Sequence, residues 1–189
     1  MHRLLWLALA FPALCFPAHI SLQAVRHGDS FEVEAASEFE AEVTLAWEVL
    51  TDYDRLSDFI PGMHSSRTVS RSKHSVIVDQ SGEARLLIFA FPIQMRLEIE
   101  EFPYERIVSR AIEGNFKEMR GAYTLEVRGR RLLLHYSGSL TPDFSIPPLI
   151  GTILMRKFVE KCFGAMVDEI MRRQRLREIS TDTPSGSGG

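Results

Sequence analysis

The C-terminal part of the chain carries the feature that most limits its fold. Between residues 149 and 177 there is no proline, and apolar residues return at helical spacing: Ile150, Ile153, Leu154, Phe158, Cys162, Phe163, Met166, Val167 and Ile170. Arg156, Lys157, Glu160, Lys161, Asp168, Arg172 and Arg173 fall mainly on the other side. At 1.5 Å per residue, this predicts a single helix about 40 Å long. Pro148 can open it, because a proline is tolerated in the first helical turn. A stripe this broad must be buried against another element.

The preceding residues supply that element. Phe31-Glu32-Val33-Glu34-Ala35 alternates apolar and acidic residues, the pattern of a half-buried strand. Thr44 is a candidate N-cap for a short helix carrying Leu45, Trp47, Val49 and Leu50, and a second short helix over 54–60 stops at Pro61-Gly62. Strands are then predicted over 65–71, 75–89 with a bulge at Ser81-Gly82, 94–102, 106–113, 119–127 and 131–140. The cleanest alternation is in 94–102. There Met95, Leu97 and Ile99 share one face, and Arg96, Glu98 and Glu100 share the other. The expected fold is therefore α+β: a curved antiparallel sheet of about seven strands, two short helices after the first strand, and one long C-terminal helix across the apolar face. Met95, Met119, Met155 and Met166 would give flexible side chains to any space between the layers.

The ends read differently. Met1-His2-Arg3 followed by an apolar run to Phe16 fits a secretory leader, too short to span a bilayer. The expected leader is 1–24, cleaved after Ala24, which makes the product secreted or periplasmic. The folded domain is then expected over 31–177, with a Ser/Thr/Pro/Gly-rich disordered tail over 178–189. Cys15 leaves with the leader, so Cys162 stands alone, without a disulfide or a cysteine metal site, and reads as a small buried hydrophobe. At 45% hydrophobic and 25% charged residues, the chain can fill a core without such staples. A formal net charge of −3 provides no general attraction to phosphate backbones, which disfavours a nucleic-acid partner. The basic helix end Arg172-Arg173-Gln174-Arg175-Leu176-Arg177 complements the helix dipole, and a peripheral membrane contact there is the sharper alternative. No oligomeric state can be read from these patterns.

Catalytic and cofactor motifs are not found. There is no phosphate loop, His-Glu-x-x-His helix or G-x-S-x-G elbow, so no cofactor, metal site or catalytic residue is expected. The histidines are scattered, and His135, inside a predicted strand, faces away from Leu134 and Tyr136. Glu98/Glu100 and Glu32/Glu34 sit on wet strand faces and make no acid/base pair.

Three stretches carry a family likeness. They are Trp47 to Tyr53 with Phe59-Ile60-Pro61-Gly62-Met63 and Ser66-Arg67; Glu113 to Lys117 with Gly121-Ala122-Tyr123; and the proline-led terminal helix. In this order they resemble the START-like, or SRPBCC, superfamily with the helix-grip fold, over residues 31–173. Within it the chain is similar to the polyketide cyclase/dehydrase group, which includes START-type coenzyme Q-binding proteins and ribosome-association toxins. The resemblance implies a hydrophobic cavity between sheet and helix. It also implies a binding or carrier role for a lipid, isoprenoid quinone or polyketide-like molecule. The expected lining is Met95, Leu97, Tyr123, Leu134, Tyr136, Leu154 and Phe158. A leader argues against the ribosome-directed role. Two alternatives stand beside the carrier: a cyclase/dehydrase-type enzyme, which needs an acid or base in the cavity, and a protein-interaction module using the Phe59-Ile60-Pro61 loop or the basic helix end.

Overall fold

Inward-facing alternation determines how the strands assemble. In the computed structural model, which describes residues 19–73, 75–86 and 88–182, eight strands form one antiparallel sheet. They are β1 (Ile20–His27), β2 (Ser30–Glu40), β3 (Met63–Arg71), β4 (Val76–Leu86), β5 (Phe89–Phe102), β6 (Arg106–Gly114), β7 (Phe116–Arg128) and β8 (Arg131–Pro142). Between β2 and β3 lie a short helix α1 (Val43–Leu50) and a 3₁₀ turn (Tyr53–Asp58); the long helix α2 (Pro148–Asp182) ends the described chain. The strand order is β1-β2-β8-β7-β6-β5-β4-β3, so β1 and β3, the strands before and after β2 in the chain, form the two edges of the row. The pairings Phe31↔Leu140, Ala35↔Tyr136 and Phe39↔Leu132 keep each apolar set on one face. A one-residue slip would turn the whole set to solvent.

α2 lies across that face. Its Leu154, Phe163, Val167 and Ile170 are buried with Phe31, Val33, Phe39, Val78, Leu97, Ile99, Leu132 and Leu134 of the sheet. Gly151 lets helix and sheet approach. A Cβ there would lie 2.9 Å from both the Phe31 ring and the Arg26 guanidinium.

The structure departs from the sequence reading in five places. The sheet has eight strands rather than about seven, because Ile20, Leu22 and Ala24 alternate inward in an added edge strand, β1, paired with β2 from Ile20↔Ser37 to His27↔Ser30. Residue 24, the expected leader end, thus lies mid-strand, and β1 precedes the expected domain start at 31. Residues 1–18 of the expected leader lie outside the described residues. The predicted strand 75–89 is broken by a hairpin between Leu86 and Phe89. The run Leu86-Leu87-Ile88-Phe89 contains no Gly, Pro or Asn to announce a reversal. The bulge belongs to β3, where His64 is the extra residue opposite Ser81-Gly82. Glu42, not Thr44, occupies the α1 N-cap without a side-chain cap bond, and its N–H donates to Gln174 Oε1 of α2. Finally, α2 continues to Asp182, beyond the expected tail start, while 183–189 lie outside the described residues.

The far end of α2 is fastened by charge. Glu169, only 8% exposed, accepts from Arg172 Nε at 2.7 Å and Arg173 Nε at 2.7 Å. Arg173 also donates to Asp52 at 3.3 Å, beside α1. Arg177 reaches Glu48 and lies 3.8 Å from Glu42. The arginines expected to offer a basic membrane contact are thus largely engaged within the chain. The bonds from Arg172 and Arg173 outweigh desolvation and hold the Glu169 carboxyl down at about 2. A carboxyl lowered on folding stabilises the protein fully above its ordinary range, and that contribution is lost as pH falls toward the folded value. Glu169→Gln is expected to cost about 2 kcal/mol at pH 7. It should also make unfolding less pH-dependent between about pH 4.5 and 2. Thermal melts across this pH range measure both effects.

Candidate functional site: the cavity under the long helix

The sheet curls away from the first half of α2, and an apolar cavity of about 80 Å³ remains between them. Ala84 of β4 and Phe91, Ile93 and Met95 of β5 form one wall. Met119, Tyr136 and Leu140 form the floor, and Leu154, Met155, Phe158 and Val159 of α2 form the roof. Phe116, Phe144 and Ile146 close the end nearest the start of α2. Three of these residues stack toward the outside. Phe91 lies 5.8 Å from Phe144 and 6.4 Å from Phe89, both nearly parallel, while Phe116 meets Phe144 edge-on at 6.1 Å. Such ring pairs are favourable, and they form an aromatic edge to the cavity that continues outward to Phe89.

Among the described residues, Tyr136 is the only one of the lining with a hydroxyl. Its ring lies flat on the sheet because two paired glycines, Gly121↔Gly138, leave it room. A Cβ on Gly138 would stand 2.6 Å from the Tyr136 hydroxyl, and one on Gly121 would stand 2.9 Å away. Tyr123 packs behind it at 4.8 Å and stacks on Phe163 at 6.5 Å. Burial pushes the Tyr136 phenol and the Cys162 thiol each up to about 12, and the Tyr123 phenol higher. All three therefore stay protonated at neutral pH. They can donate a hydrogen bond, but none supplies a base or a thiolate nucleophile.

Of the residues read from sequence as lining a ligand space, Met95, Tyr136, Leu154 and Phe158 meet around the cavity. Tyr123 stands one ring behind, and Leu97 and Leu134 are sealed into the core. Met119 and Met155 also line it, whereas Met166 is buried in the core. Sequence reasoning missed Ala84, Phe91, Ile93, Phe116, Phe144 and Ile146. For Phe91 and Ile93 a signal was present: they continue the Met95/Leu97/Ile99 phase of β5 backwards. Phe144 and Ile146 lie in an irregular loop, where no periodicity reports facing. Beside the cavity is a polar cleft of about 390 Å³. It shares Pro142, Phe144 and Ile146 with the cavity and holds Arg26, Asp29, Lys117 and Asp143.

A curved sheet gripping one helix over an apolar cavity is the helix-grip, START-like fold. The chain matches the family described as polyketide cyclase / dehydrase and lipid transport over residues 39–171, and it belongs to that family. Among solved structures it is similar to the Zhui aromatase/cyclase from Streptomyces sp. R1128, with a TM-score of 0.65 at 15% identity, covering 84% of this chain and 99% of that one. It is also similar to the STAR-related lipid transfer protein from Xanthomonas axonopodis, with a TM-score of 0.64 at 14% identity, covering 80% and 93%. A START superfamily protein from Mycobacterium smegmatis aligns with a TM-score of 0.62 at 12% identity, covering 75% and 98%. No curated protein matches the chain in sequence. The family supports a hydrophobic small-molecule ligand. β1 lies upstream of the matched residues.

The glycine pair makes a checkable prediction. Gly138→Ala places a methyl where the Tyr136 ring now lies and should cost about 1–3 kcal/mol by overpacking. Combining it with Tyr136→Phe, which removes the closest atom, should recover part of that loss in urea unfolding.

Proposed function

We propose that the protein is an exported binding or carrier protein for a hydrophobic or amphipathic small molecule of the lipid, isoprenoid-quinone or polyketide type. The observation that carries this reading is the lining itself, apolar throughout except for one protonated phenol. At about 80 Å³ the cavity holds only a few waters, whereas ligand pockets span about 300–1,000 Å³. Entry of a ligand therefore requires expansion. Met95, Met119 and Met155 can repack at low cost, and the Phe91/Phe144 plates can swing outward. Apolar burial then supplies affinity, and the Tyr136 hydroxyl supplies one orienting donor.

Native mass spectrometry of freshly purified protein should show a bound apolar species. Ala84→Phe, which fills the cavity, should weaken uptake of a fluorescent acyl probe at least tenfold without lowering the melting temperature by more than a few degrees. Protein that is always empty, together with unchanged probe affinity in Ala84→Phe, would rule the carrier out.

Export rests on the basic start and apolar run of residues 1–16. Cleavage after Ala24 would strip Ile20, Leu22 and Ala24 from β1, so we place the mature N-terminus at or before Ile20. N-terminal sequencing of the exported form tests this, and a mature chain starting at Val25 would refute it.

A cyclase-type activity is the second reading, favoured by the phenol of Tyr136 in the cavity wall. It would act as a proton donor to a ligand carbonyl. In that case Tyr136→Phe should abolish turnover while leaving ligand binding within about threefold.

A further inference from the structure

The end of the molecule that holds the cavity mouth also carries four apolar side chains that the described residues leave exposed. Ile88 is 92% exposed, Leu149 91%, Ile153 55% and Phe89 41%. Ile88 and Phe89 are at the β4–β5 turn; Leu149 and Ile153 are on the outward side of the first turns of α2. The two elements meet at one end, because Ala84 and Phe91, a cross-strand pair below the turn, share the cavity wall with Leu154 and Met155. Phe89 then continues the aromatic stack through Phe91 to Phe144. Single exposed apolar residues call for no explanation. A group of them at the end of the fold that holds an apolar cavity does.

Behind the apolar tips stands a basic collar. Arg156 and Lys157 follow Ile153 by one turn of α2, about 5 Å along the axis, and Lys161 follows a turn later. Arg85 precedes the tip of the β4–β5 turn. Lys157 pairs with Glu160, and Arg85 with Glu83. Arg156 and Lys161 form no ion pair among the described residues. In a chain of net charge −3, the stretch of α2 over 148–161 therefore holds Arg156, Lys157 and Lys161 against Glu160 alone. The neighbouring polar cleft is balanced, with Arg26 and Lys117 facing Asp29 and Asp143.

Apolar tips followed by long cationic side chains match the layers of a lipid surface. The tips enter the acyl boundary, while Lys and Arg stems reach back to the phosphates. We propose that the β4–β5 turn and the first two turns of α2 dock this protein on an anionic lipid bilayer, setting the cavity mouth against the membrane. The purpose of that docking rests on the carrier reading, since an apolar ligand could then pass from bilayer to cavity without crossing water; the docking itself is separable from it. The surface lies at the opposite end of α2 from the basic segment that the sequence singles out.

The test is flotation of the purified full chain with vesicles of phosphatidylcholine alone or of phosphatidylcholine with phosphatidylglycerol at about seven to three. The comparison is the double variant Ile88→Glu/Leu149→Glu, whose exposed sites should leave the melting temperature unchanged. The wild type should float with the anionic vesicles at least tenfold better than the double variant, and less as salt is raised. Arg156→Glu/Lys157→Glu should lose the preference for phosphatidylglycerol. Solution uptake of the acyl probe should be the same in wild type and Ile88→Glu/Leu149→Glu, while extraction of that probe from vesicles falls tenfold in the variant. Docking is overturned if the wild type floats with neither vesicle, if the double variant floats equally well, or if sedimentation shows a wild-type dimer that the variant dissociates, which would make the patch a self-interface. Flotation as expected with no probe uptake by any form would instead refute the carrier reading and leave docking in place.

Discussion

The burial of α2 on the concave face of the sheet is the interaction on which the remaining structure depends. Leu154, Phe163, Val167 and Ile170 have no other apolar surface to meet, and neither do Phe31, Val33, Leu132 and Leu134. Neither layer is stable alone. The contact is close where Gly151 removes a side chain between helix and β2, and it is held at the far end by Glu169, Arg173 and Asp52. Between these two places the sheet curls away faster than side chains can follow. The cavity is what is left over.

This arrangement divides the labour along the helix. The C-terminal half is packed and ion-paired to α1. The N-terminal half roofs the cavity and is flanked by methionines and by stacked aromatic rings. The edge strand β1, upstream of the family match, packs beside that half. Ile20 reaches toward Gly164, and Arg26 lies between Gly151 and the Ile146 carbonyl. A binding protein needs such a contrast, because its ligand space must open without the fold doing so.

Much of this was legible in the chain before any coordinates. The helical stripe of α2 and the alternation of Met95, Leu97 and Ile99 were enough to infer a sheet closed by one helix. Four of the seven expected lining residues meet at the cavity. The failures have physical causes. β1 was hidden because the apolar run over 4–16, read as a leader, stands just before it in the sequence, so that 20–24 reads as part of the same segment. The β4–β5 hairpin was hidden because the sequence Leu86-Leu87-Ile88-Phe89 contains no turn-forming residue. Leu97 and Leu134 were misassigned because alternation reports which face a residue is on, and not whether that face is in contact with the helix or separated from it.

The sequence by itself determined the class of fold, since periods of 2.0 and 3.6 residues are local properties that any short window displays. Only the tertiary structure decided where the space lies, that one phenol marks it, and that the same end of the fold carries Ile88, Phe89, Leu149 and Ile153 in front of a basic collar. These residues are far apart in the chain. They are neighbours only because sheet curvature and helix direction bring one hairpin and one helix end together, and neither quantity is encoded in any single segment.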